Sequence, residues 1–261
     1  MEFDIYQVDS FTSDVFKGNP AAVVPLKEWL QDDTLQKIAL ENNLSETAFF
    51  IPTEKGFHLR WFTPTVEVDL CGHATLAASW VVFNELGYTA PQIDFESLSG
   101  TLTVKRSGQG LTMDFPVWEP KKAALDKKVE DALGAKVIEL FHGPDWVAVM
   151  ENESAVRNLQ PDMARLSEIK EARGVIATAK GSGDTDFVSR FFGPRVGVPE
   201  DPVTGSAHCI LTPIWSEKLG KTSLKAKQVS ARCGELACEL KGSRVEITGK
   251  AALYMKGKIF L

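Results

Sequence analysis

The sequence repeats itself at long range, and this limits the folds open to it. Arg60-Trp61-Phe62-Thr63-Pro64 returns as Arg190-Phe191-Phe192-Gly193-Pro194, about half the length of a 261-residue chain later. After each copy comes a segment that starts and ends in glycine, GHATLAASWVVFNELG at 72–87 and GSAHCILTPIWSEKLG at 205–220. Both are apolar through their first two turns and end in Leu-Gly. That pattern predicts a buried helix stopped by a left-handed glycine, with a kink at Pro213 in the second copy. A chain written this way is expected to fold as two like halves, each large enough to be a domain.

Around the two helices lie short alternating or apolar runs rich in β-branched and aromatic residues: FDIYQVDSF, AAVV, TAFFI, HLRWF, GTLTVKR, LTMDF, WVAVM, GVIATA, DFVSRFF, SRVEITG and ALYMKG. They read as strands. The expected class is α+β, with two pseudo-symmetric domains, each a barrel-like and mostly antiparallel sheet around one central helix. Pro and Lys in WEPKKAALDKK put the turn between halves there, giving domains 1–118 and 119–261, the last strand being free to return to the first. An amphipathic helix is predicted over 31–44, with Asp32 or Asp33 as its cap and Leu35, Ile38 and Leu40 on its apolar side.

Composition narrows the function classes. The chain is 44% hydrophobic and 25% charged, with no run near the roughly 18 apolar residues of a membrane span. Its start, MEFDIYQVDSF, has acids where a signal peptide has Lys or Arg; a soluble, cytoplasmic protein with no membrane partner is expected. A net charge of −6, without a basic stripe, argues against nucleic acid. Lys121-Lys122 and Lys127-Lys128 read as a solvated linker and helix face. Cys71, Cys209, Cys233 and Cys238 lack CxxC spacing, and His58, His73, His142 and His208 lack the spacing of zinc motifs, so neither a disulfide nor a metal is expected. The 180–186 tract KGSGDTD lacks the spacing of a phosphate loop and reads as a connection between strands.

A pseudo-twofold pair of domains is expected to bind its ligand in the cleft between them. Two helix starts, Gly72-His73-Ala74 and Gly205-Ser206-Ala207, would then offer N–H groups and dipoles to an anion such as a carboxylate. The alternative is that these glycines only let the chain turn into a packed helix. Glu46, in NNLSETAFF, stands between a helix and an apolar strand; it is either a turn or capping acid, or a carboxyl whose burial raises its pKa for proton transfer. Asp201, in VPEDPVTGSAH, is either a turn starter or an active group. His73 is a candidate donor or titrating group, or a hydrogen-bonded structural histidine. His208 and Cys209 read as core, and Cys233 and Cys238 as the flanks of a hairpin turn.

GNPAAVV (18–24), NLSETAFF (43–50), LRWFTPTVEVDLCGHATLAAS (59–79) and RFFGPRVGVPEDPVTGSAH together resemble the PhzF-like family of phenazine-biosynthesis-type isomerases. The resemblance runs from about residue 3 to the C-terminus. It implies a fold like that of diaminopimelate epimerase, often in homodimers. It also implies isomerisation of trans-2,3-dihydro-3-hydroxyanthranilate, or of a similar small carboxylate, without a cofactor. The family's acid/base glutamate falls on Glu46. Its substrate-binding positions fall on Asn19, Ser45, Gly72, His73, Asp201, Gly205 and Ser206. Cofactor-independent racemases of the broader fold use two cysteines; Cys71 stands at the first such position, but Thr204 stands at the second. A racemase or dehydratase of an amino or hydroxy acid using Cys71, and a non-catalytic carboxylate-binding protein, are the alternatives.

Overall fold

The computed structural model describes residues 1–108 and 110–261. The chain divides into two compact units, Met1–Asp114 with Thr248–Leu261, and Phe115–Ile247. The first unit runs β1 (Glu2–Ser10), β2 (Asn19–Pro25), α1 (Asp32–Asn42), β3 (Glu46–Pro52), β4 (Phe57–Phe62), β5 (Glu67–Val68), α2 (Gly72–Asn84), β6 (Gln92–Ser97), β7 (Gly100–Ser107) and β8 (Gly110–Pro116). The second runs β9 (Lys121–Ala123), α3 (Lys127–Leu133), β10 (Glu139–His142), β11 (Trp146–Val149), α4 (Glu153–Arg157), α5 (Met163–Glu168), β12 (Val175–Lys180), β13 (Phe187–Gly193), β14 (Val198–Asp201), α6 (Gly205–Leu219), β15 (Ser223–Gln228), β16 (Gly234–Lys241) and β17 (Arg244–Gly249). A last strand, β18 (Ala251–Phe260), pairs antiparallel with β1 and so belongs to the first unit.

Each unit has the same pairing sequence. In the first, β2 lies parallel to β3, β3 antiparallel to β4, β4 antiparallel to β5 and parallel to β6, and β6 antiparallel to β7. In the second, β11, β12, β13, β14, β15 and β16 repeat that order of parallel and antiparallel steps. Such mostly antiparallel sheets with two parallel steps make the fold α+β.

At β2 and β3 the sheet of the first unit is buried on both faces, which is why these two strands read as continuous apolar runs. Ala22, Val24 and Phe49 pack outward against Leu35, Ile38 and Ala39 of α1. Ala21, Val23 and Ala48 alternate with them, are fully buried, and lie on the face toward α2, whose residues from His73 to Ser79 are buried. In a helix buried all round, polar side chains must find partners nearby. Thr75 donates to Cys71 O at 2.6 Å, Ser79 to Thr75 O at 2.7 Å and, in α6, Thr212 to His208 O at 2.6 Å.

The glycine stop holds for α6, which ends on left-handed Gly220 at φ +65°; α2 ends earlier, at Asn84 with right-handed Glu85 as its cap, and Gly87, left-handed at φ +68°, lies beyond it. Pro213 lies inside α6 and cannot donate to the carbonyl of Cys209; that oxygen accepts instead from Trp118 N at 3.3 Å. Three local expectations are corrected. Neither Asp32 nor Asp33 caps α1, whose cap is Gln31; they bind Arg60 and Lys37 instead. Leu40 is 56% exposed and Ala39 takes the core position. Cys238 lies in the middle of β16, not beside a hairpin turn, because GELACELK is itself the strand. Among the described residues no helix is long and apolar enough to cross a membrane.

Candidate active site

The predicted site residues gather in two groups, one in each unit. In the first, the tight turn at Gly18 delivers Asn19 to the start of β2. Gly18 has φ +63°, and a Cβ there would lie 2.1 Å from Ser10 O, so only glycine fits. Register does the rest: Ala21 of β2 is opposite Glu46 of β3. Asn19 and Ala21 share a face of β2, so Asn19 and Glu46 project to the same side, toward the start of α2. Ser45 is half-buried between the left-handed Asn43 that ends α1 and Glu46.

His73 collects these side chains. Asn19 Nδ2 is 3.2 Å from His73 Nδ1, Cys71 Sγ is 3.5 Å from that same nitrogen, and Glu46 Oε2 is 3.2 Å from His73 Nε2. With Asn19 donating to Nδ1, the ring proton resides on Nε2, toward the carboxylate. Nε2 and Oε2 are close but off the line of a hydrogen bond. Burial holds the His73 pKa down at about 3, so the imidazole is neutral and its contact with Glu46 is not an ion pair. His73 therefore does not titrate near neutrality. Ser10 Oγ donates to His73 O at 2.7 Å and fixes the first turn of α2. Glu46, Cys71 and His73 bring ligand-type atoms within 4.8 Å of one another, but the imidazole meets the thiol and the carboxylate through different nitrogens.

In the second group, Asp201 ends β14 and its Oδ2 accepts from Thr204 Oγ1 at 2.5 Å. Buried Gln228 locks this turn: its Oε1 accepts from Thr204 N at 2.9 Å and its Nε2 donates to Asp201 O at 2.8 Å. Gly205 and Ser206 open α6, and neither α2 nor α6 has a side-chain cap on its first turn. Cys71 and Thr204 are the N-cap residues of the two helices. His208 and Cys209 are buried, as read from the sequence; His208 Nδ1 donates to Thr204 O at 2.8 Å and burial lowers its pKa to about 4.

Three residues escaped the sequence reading. Besides Gln228, Asp145 and Arg173 stand beside Ser206: Arg173 Nε and Nη2 donate to the two oxygens of fully buried Asp145 at 3.0 and 2.6 Å, and Nη2 donates to Ser206 Oγ at 2.9 Å. The repeated Arg60 and Arg190 had a readable signal. Each forms a two-pronged pair with a glutamate at the next strand, Arg60 with Glu67 at 2.7 Å for both prongs, and Arg190 with Glu200 at 2.7 and 2.9 Å.

Residues 8–257 match the family described as phenazine biosynthesis-like protein, PhzC-PhzF. A Pseudomonas aeruginosa protein named as an uncharacterized isomerase is 52% identical over 100% of both chains. The crystal structure of a PhzF-family phenazine biosynthesis protein from Enterococcus faecalis superposes with a TM-score of 0.98 at 45% identity, covering 100% of both chains. A hydroxyproline epimerase from Agrobacterium vitis superposes with a TM-score of 0.66 at 9% identity, over 99% of this chain and 92% of its own; that likeness is one of fold.

Proposed function

The chain belongs to the phenazine biosynthesis-like (PhzC-PhzF) family, and from this premise we propose that it is an isomerase that moves a proton between carbons of a small carboxylate substrate. The observation that carries the reading is the placement of Glu46, half-buried at the start of β3 and 3.2 Å from a neutral histidine. A carboxylate so placed can remove a proton from an activated carbon and, once protonated, return it at another. Positioned acid/base transfer of this kind contributes about 10²–10⁴-fold.

His73 would serve as a neutral hydrogen-bond donor. Its low pKa keeps it from competing for the proton held by Glu46. The uncapped first turn of α2 would stabilise negative charge that develops on the substrate. In this reading no cofactor takes part, since Glu46 itself holds the migrating proton. The substrate would be similar to trans-2,3-dihydro-3-hydroxyanthranilate, and the working unit a homodimer, as the family resemblance suggests.

The test is proton NMR in D₂O of that compound and a panel of small amino and hydroxy acids, with wild-type protein and with Glu46→Gln. Isomerisation, or solvent deuterium at one carbon, that disappears in the variant supports the reading; a variant as fast as wild type sinks it. One observation favours a second reading: Cys71 Sγ lies 3.5 Å from His73 Nδ1, so the thiol could serve as the base of a racemase. Loss of exchange in Cys71→Ser but not in Glu46→Gln would select it.

A further inference from the structure

The second unit places a cation one residue before the position at which the first places its acid. Thr47 pairs with Phe62 and Val175 with Phe192, and these phenylalanines lie two residues after the paired Arg60 and Arg190. Glu46 thus corresponds to Gly174, and Ser45 to Arg173. Gly174 admits no side chain: a Cβ there would lie 2.7 Å from both Phe191 Cζ and Phe192 O. Arg173 is accordingly the chemical group at this place, and Ser206 is the counterpart of His73 on the first turn of α6.

We propose that Arg173 is a further carboxylate-binding residue, adding its guanidinium to the position that the family resemblance already puts at Ser206. This rests on the reading that the substrate is a carboxylate. The guanidinium is fixed before any ligand arrives. Fully buried Asp145 takes Nε and Nη2 as a two-pronged partner, and the plane lies 5.4 Å from the Phe191 ring centroid. The other edge stays outward: the side chain is 38% exposed, and Nη1 has no hydrogen-bond partner among the described residues. An arginine held along one edge by one carboxylate keeps the donors of its remaining edge for another.

Ser206 Oγ accepts from Arg173, which leaves its own O–H proton to donate onward. The uncapped start of the 15-residue helix α6 adds N–H groups beside it. Asp145 cancels the net charge of the pair, so affinity comes from these directed donors rather than from a bare positive field. Binding is therefore selective for a planar carboxylate over a neutral group of the same shape.

Isothermal titration with benzoate and 3-hydroxyanthranilate, against their neutral amides benzamide and 2-amino-3-hydroxybenzamide, tests this. The wild type should bind each carboxylate about tenfold or more tightly than its counterpart, as charge-assisted hydrogen bonds allow. The double variant Asp145→Asn/Arg173→Gln avoids leaving a buried unpaired carboxylate, and in it the preference should fall to within about twofold, the residue left by losing those bonds. Arg173→Lys keeps the charge without the fork and should fall between the two; it decides the matter if the double variant does not fold. A wild type with no carboxylate preference, or a folded variant that keeps the full preference, overturns the site. An Arg173-dependent preference without any solvent exchange would retain the site while sinking the isomerase reading.

Discussion

Arg60 in the first unit and Arg190 in the second hold their neighbouring strands in the same way, each gripping a glutamate through two hydrogen bonds and lying against the phenylalanine two residues on. The groups those strands carry differ. Glu46 and His73 face Cys71 in one unit; Gly174 and Ser206 stand near Arg173 and Thr204 in the other. Frame residues repeat and chemical residues do not. The scaffold repeats while a few positions on it differ: one unit presents a carboxylate beside a neutral imidazole, the other a pre-oriented guanidinium.

The largest effect expected is at the acid. Glu46→Gln should lower substrate-dependent solvent exchange by about 10²–10⁴-fold, the range of positioned acid/base groups, with the circular dichroism spectrum unchanged. Next come the frame arginines, and here the units should separate. Arg190 also donates to the carbonyl of Leu159 at 2.9 Å, while Arg60 reaches exposed Asp32 instead. Arg190→Met should therefore cost about 2–3 kcal/mol and Arg60→Met about 1–2, because a charge left unpaired under partial burial loses more when carbonyls are stranded with it. Urea denaturation of both variants measures the gap, and equal costs would show that the frames are energetically alike.

Gly174→Ala probes the empty position. Overpacking against Phe191 and the Phe192 carbonyl should cost about 1–3 kcal/mol, lowering Tm by several degrees. A variant as stable as wild type would show that a side chain is tolerated where Glu46 has its counterpart. The smallest signal is expected from the histidines. The native pKa values of His73 and His208 are depressed by burial to about 3 and about 4, from 6.5. The neutral form is thus favoured in the folded state. The stability this confers is complete above the unfolded value and is lost as pH falls from about 6.5 toward those native values, since the unfolded chain takes up protons first. Neither imidazole should shift in NMR between pH 8 and 5, while the urea midpoint falls over the lower part of that range and continues to fall below it.

Much of the frame was legible because periodicity and repetition are local signals. The two apolar helices, the glycine stop of α6 and the strand runs could be read directly. β5, β6, β9, β10, β14, β15 and β16 were missed: GELACELK and SLKAKQ carry charges on their exposed positions, and α6 packs against both strands. In the site, the grouping of Asn19, Glu46 and His73 came from motif resemblance and not from spacing, since β-register joins residues that the chain keeps far apart. Arg173 and Asp145 had no such help. They lie in EARG and GPDW, stretches with the composition of ordinary loops, and become a pair only through the parallel alignment of β11 with β12.

The return of β18 to β1 makes the first unit discontinuous along the chain. During synthesis from the N-terminus, its sheet waits for a strand that ends at Phe260, whereas the second unit has all of its residues by Ile247. The unit begun before the other is the one completed after it, so synthesis of β18, rather than emergence of the first hundred residues, closes the unit that carries Glu46.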